Sequence, residues 1–122
     1  MIRGLIARYH SRMHAAGTAR IIDGRALADT VRAGLADRIA ALDAEGLPVR
    51  LDAIIVSGNA AGSVYAASQQ RTCDLLGIHY QLHELPADST ESMVMDMVSS
   101  LNDDDSVRAI MVHLPLPEGI SV

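Results

Sequence analysis

The stretch LDAIIVSG, residues 51–58, decides the fold. Ala53, Ile54, Ile55 and Val56 form an unbroken apolar run that Gly58 closes. A strand with one wet face alternates apolar and polar side chains. A strand covered on both faces does not, and in practice it belongs to a parallel sheet. The run therefore predicts a strand over 51–57, buried on both sides.

The rest of the chain is read outward from this strand. Upstream, Asp23 is placed to cap a helix beginning at Gly24 or Arg25. Leu27, Val31, Leu35, Ile39 and Leu42 recur at helical spacing and predict one buried stripe, and Gly46 and Pro48 end that helix. Downstream, Asn59 can cap a second helix over 60–76, which Gly77 closes. IHYQLHEL, 78–85, alternates strictly. Ile78, Tyr80 and Leu82 are set inward, and His79, Gln81 and His83 outward, as in a half-buried strand. Pro86, Asp88 and Ser89 make a turn and cap before a third helix over 90–102. Its inward residues are Met93, Val94, Met97, Val98 and Leu101. NDDD, 102–105, reads as a solvated loop, and VRAIMVHL, 107–114, as another buried strand.

Helices and strands thus alternate. This order predicts an α/β domain of three layers, with a mainly parallel sheet flanked by helices and right-handed crossovers. Sites in such sheets form where strands end at their carboxyl side. The first strand ends at Ser57, Gly58 and Asn59, and the last at His113, before LPLP. Tyr65 and Gln69 lie one turn apart on the helix leaving the first. Topology alone therefore brings Tyr65, Gln69 and His113 to one crevice. Tyr65 offers a ring that can stack on a planar ligand, or is a half-buried helix tyrosine. His113 is a general acid or base, or a hydrogen-bonded strand-end residue.

Composition excludes several chemistries. The cationic side chains are all arginine, and the absence of lysine removes Schiff-base and phosphate-loop lysines. One cysteine, Cys73, leaves no internal disulfide and no multi-Cys zinc site, and reads as a small buried hydrophobe. His79 and His83, four apart on a strand, are roughly 13 Å apart, too far for one metal ion, and read as solvated. His10 and His14 have helical spacing but no third ligand nearby. No metal is expected. SGNAAG, 57–62, is not a G-x-G-x-x-G fingerprint. The six methionines read as mostly core.

Residues 21–122 set six arginines against fifteen acids, a poor balance for nucleic acid. No apolar run approaches the ~18 residues of a membrane span. Residues 1–17 hold arginines and no acid. They read as an unstructured extension, or as a transit peptide that would place the chain in an organelle matrix instead of the cytoplasm.

Four landmarks in order resemble one family. They are IIDGRALADTVR (21–32), IIVSGNAAGSVYAAS (54–68), CDLLGI (73–78) and VHLPLP (112–117). Together they resemble the N-terminal catalytic domain of the methylenetetrahydrofolate dehydrogenase/cyclohydrolase family. The resemblance implies an extension over 1–18 and a catalytic domain over 19–122, without the family's C-terminal Rossmann domain. It implies a tetrahydrofolate-type substrate, oxidised from methylene to methenyl with NADP or NAD and then hydrolysed to formyl. By resemblance Tyr65 stacks on the folate rings. Gln69 stands at the family's catalytic lysine, His113 at its partner glutamine, and Gly62 at a serine.

A glutamine neither carries the lysine's charge nor exchanges a proton near neutrality. Loss of a positioned proton-transfer group typically costs ~10²–10⁴-fold. His113 beside Gln69 would make a swapped acid–base pair. Three functions stay open: a folate-enzyme domain, an inactive folate-like binder, and a fragment that works only with a partner domain. No dehydrogenase activity is expected from this chain alone. Association as a homodimer or with a Rossmann partner is expected.

Overall fold

The structure, a computed structural model, describes residues 21–56, 58 and 60–120, with the backbone alone at 60 and 61. The expectations for residues 1–18, His10, His14, Ser57 and Asn59 lie outside the described residues. The chain divides into a unit ending at Thr30 and a unit beginning at Val31.

In the first unit Asp23 caps helix α1 (Gly24–Ala44), as its position predicts. Its Oδ1 accepts from the backbone N–H of Arg25 at 3.1 Å and of Ala26 at 3.0 Å. In the second unit α1 ends at Ala44, and a turn follows at Gly46, whose φ of 75° suits a residue without a side chain. Leu47 N–H then donates back to Leu42 C=O, closing the end. Strand β1 (Arg50–Val56), helix α2 (Ala60–Leu76), strand β2 (His79–Leu85), helix α3 (Glu91–Asn102) and strand β3 (Ala109–Val112) follow. Gly77, φ 79°, closes α2 in the same way, with Ile78 N–H bonded to Cys73 C=O. Thr90 caps α3.

The sheet is parallel throughout, in the order β2-β1-β3. The unbroken apolar run is therefore the middle strand, and Ala53, Ile54, Ile55 and Val56 are all buried. Register divides the side chains between two faces. Ile54, Val56, Leu85, Ile110 and Val112 look toward α3, where Val94 and Leu101 complete the main core. Tyr80, Met111 and His113 share the opposite face with α2.

The predicted α1 stripe is corrected. Of its five residues only Ile39 is buried; Leu27, Val31, Leu35 and Leu42 are exposed. α2 and α3 occupy the two faces of the small sheet. The α1 stretch of the second unit meets that unit through Ile39, 3.6 Å from the Cβ position of Gly77. The last strand is also corrected: it is four residues long and only half buried, because as an edge strand it has a neighbour on one side. Met93, Met95 and Met111 are exposed, so the methionines are less of a core than their spacing suggests.

His83 is not solvated. It is half-buried, and its Nε2 lies 2.7 Å from Oδ1 of Asp52, a fully buried carboxylate on β1. Arg50 grips the same carboxylate with Nε at 2.7 Å and Nη2 at 2.8 Å. Its Nη1 reaches Ser106 Oγ at 2.7 Å and Asp104 at 3.3 Å. The predicted NDDD loop is exposed, yet through Asp104 it is tied to the sheet.

Candidate functional site

The parallel register sets the floor of the site. His113 N–H donates to Ile54 C=O at 2.8 Å, so His113 extends the β1–β3 ladder by one position. Its side chain points to the same face as Met111, toward α2. The ring of Tyr65, on α2, meets it edge-to-face, with centroids 5.6 Å apart and planes at 72°. Tyr65 is 60% exposed and His113 only 6%. A ligand would therefore meet the tyrosine first, with the histidine behind it. Nε2 of His113 is buried and has no partner among the described residues. A buried polar atom of this kind is costly unless something else bonds it.

Gln69 sits one turn further along α2, as its spacing predicts, but its bonds go elsewhere. Oε1 accepts from the Tyr80 hydroxyl on β2 at 3.1 Å, and Nε2 donates to Met111 Sδ on β3 at 3.2 Å. Neither of these bonds reaches His113, so they do not join the two residues of the expected swapped acid–base pair. Tyr80 is the site residue that sequence reasoning missed. Its inward position on β2 is legible, but its pairing with Gln69 needs the strand order. Burial pushes the Tyr80 phenol above its ordinary pKa, and nearby Cys73 and Tyr65 add to that. It therefore remains an O–H donor.

The site as described holds two tyrosines, an amide, a thioether and one imidazole. It carries no fixed cation. Among the described residues no group of three His, Cys, Asp or Glu is arranged to hold a metal. The β1–α2 connection contains Gly58 but not the glycine spacing of a dinucleotide cradle. No helix among the described residues is long and apolar enough to cross a membrane. A separate apolar groove of about 260 Å³, bordered by Val98, Leu114 and Ile120, lies on the α3 side, away from Tyr65.

Comparison with known proteins places this geometry. The model of the tetrahydrofolate dehydrogenase/cyclohydrolase catalytic domain matches residues 22–122. The bifunctional protein FolD of Heliobacterium modesticaldum is 40% identical over 104 residues, which is 85% of this chain and 36% of that protein. A 5,10-methylenetetrahydrofolate dehydrogenase from the silkworm, Bombyx mori, superposes with a TM-score of 0.80 at 31% identity, over 85% of this chain and 36% of that one. The Trypanosoma brucei methylenetetrahydrofolate dehydrogenase-cyclohydrolase, in complex with NADP and an inhibitor, gives 0.77 at 29%, over 86% and 36%. This chain thus spans about a third of the length of the relatives it matches. A match over almost all of the described residues, at 40% identity to one relative and with the same fold, means that the chain belongs to the tetrahydrofolate dehydrogenase/cyclohydrolase family, in its catalytic domain.

Proposed function

We propose that residues 19–122 bind a tetrahydrofolate-type ligand as the folate side of a methylenetetrahydrofolate dehydrogenase/cyclohydrolase-type protein, and that this chain alone has little catalytic power. The observation that carries this reading is the open ring of Tyr65, backed by the buried His113 at the strand ends. Planar ring systems stack on such a platform. Opening a methenyl group needs a water, a place for its proton and a group that favours the developing charge. Gln69 can hold a water or donate a hydrogen bond, but it supplies neither charge nor proton. His113 brings the one imidazole of the described site, a side-chain type that can act as general acid or base.

The nicotinamide step belongs, in this reading, to a partner domain, which these residues do not replace. The relatives' greater length and the family membership support that. Residues 1–18 are read as an extension outside the domain, and the single free Cys73 fits a reducing, cytoplasmic setting.

The test is calorimetric titration with tetrahydrofolate. Wild type is expected to bind, and Tyr65→Ala to bind about tenfold more weakly, the order of an aromatic stacking contact. A wild type that does not bind, or a Tyr65→Ala that binds equally well, overturns the reading.

A further inference from the structure

A glutamine amide has two ends of nearly the same shape and opposite hydrogen-bonding sense. Which end meets a ligand is set by what grips the amide. In this site two groups do. Met111 Sδ, 3.2 Å from Nε2, is a weak acceptor and no donor. Only the NH₂ end can face it favourably, since the carbonyl oxygen there would oppose lone pair to lone pair. The carbonyl is then turned to Tyr80, whose hydroxyl donates to it at 3.1 Å. The two contacts come from different strands, on either side of β1, and agree on one rotation.

We propose that Tyr80 is a positioning residue of this site, fixing the Gln69 amide so that its NH₂ end is the one offered to a ligand. The proposal rests on the folate-type reading above and sharpens it. A ligand at Gln69 must present a neutral hydrogen-bond acceptor there, such as a ring nitrogen or an amide-type carbonyl of a pterin. A sulfur contact is weak enough for such an acceptor to replace it, and the second N–H of the amide is available as well. An anionic group is disfavoured, because the site's described side chains carry no fixed cation to meet it. Burial keeps the Tyr80 phenol protonated, so the amide is held across the neutral and mildly alkaline range.

The experiment combines a ligand-free and a ligand-bound reading. The side-chain NH₂ resonances of Gln69, assigned by their loss in Gln69→Ala, are followed by NMR in wild type and Tyr80→Phe. They are expected to move toward the position of a solvated glutamine when the hydroxyl is removed. Affinity for tetrahydrofolate is then measured through a double-mutant cycle. Tyr80→Phe is expected to weaken binding about fivefold, the worth of one net hydrogen bond. It should cost nothing further in the Gln69→Ala background and the same fivefold in the Tyr65→Ala background.

An equal loss in the Gln69→Ala background would make Tyr80 a packing residue and overturn the proposal, as would unmoved resonances with unchanged affinity. A wild type that fails to bind tetrahydrofolate overturns the folate reading instead, and the NH₂ resonances alone then decide the orientation. Met111→Leu removes the other contact. It is expected to shift the same resonances, which keeps the test open should Tyr80→Phe not fold.

Discussion

Asp52 on the middle strand and His83 on its neighbour share a 2.7 Å hydrogen bond on the face of the sheet opposite Tyr65. Burial alone would raise the Asp52 carboxyl. The hydrogen bonds from Arg50 and His83 outweigh that and hold it below the ordinary carboxylate range. A carboxyl held low in the folded state contributes stability above its unfolded value of about 3.9, and this is lost as pH falls through the folded value. Asp52→Asn is expected to cost on the order of 2 kcal/mol near neutral pH. It should also flatten the fall in stability below about pH 4. Urea melts across a pH series check both, and superimposable curves for the two proteins would refute them.

Gln69→Lys puts a cation and a titratable amine at the position that the resemblance equates with a catalytic lysine. Hydrolysis of methenyltetrahydrofolate, followed by its loss of absorbance, is expected to rise by about 10²-fold or more. An unchanged rate would mean that something other than the glutamine limits this scaffold.

Ile54 is completely buried at the centre of the sheet and packs in the cluster with Val94 and Leu101. Ile54→Ala is expected to destabilise by about 2–5 kcal/mol, from lost transfer energy and the cavity left behind. Chemical denaturation measures it. A loss under about 1 kcal/mol would mean that the core closes over the gap.

Cys73 is buried in α2, and burial, with Asp74 next to it, pushes its thiol above the ordinary value. It is expected to resist a disulfide reagent in the folded protein and to react when denaturant unfolds the chain. Rapid labelling under native conditions would contradict the burial.

The legible parts of this molecule were those fixed by local pattern. The run at 53–56 specified a doubly covered strand, and Gly77 set the end of α2, whereas α3 is capped by Thr90, one residue past the expected Ser89. What pattern could not supply was a partner for each surface. Leu27, Val31, Leu35 and Leu42 have helical periodicity, but periodicity does not say that a sheet face is free to receive them. Strict alternation set His83 on a polar face. Only the parallel register sets His83 and buried Asp52 on one face of adjacent strands. An acid inside an apolar strand, with a histidine on the next strand, was the available signal. At the site, Tyr65 and His113 followed from strand ends alone. The Tyr80–Gln69 bond did not, because it joins β2 to a helix through a strand order that only the fold reveals.

Among the described residues β1 is the one strand with two neighbours; α2 separates it from β2, and α2, β2 and α3 separate it from β3. Among the described residues the sheet has no hairpin, so none of these strand pairs forms between adjacent segments of chain. Each pairing must close a loop containing a whole helix before its contacts repay the lost entropy. The domain should therefore fold in a late, concerted step, slowly for its length. During synthesis β1 would emerge early and wait, apolar on both sides, for its second partner nearly sixty residues later.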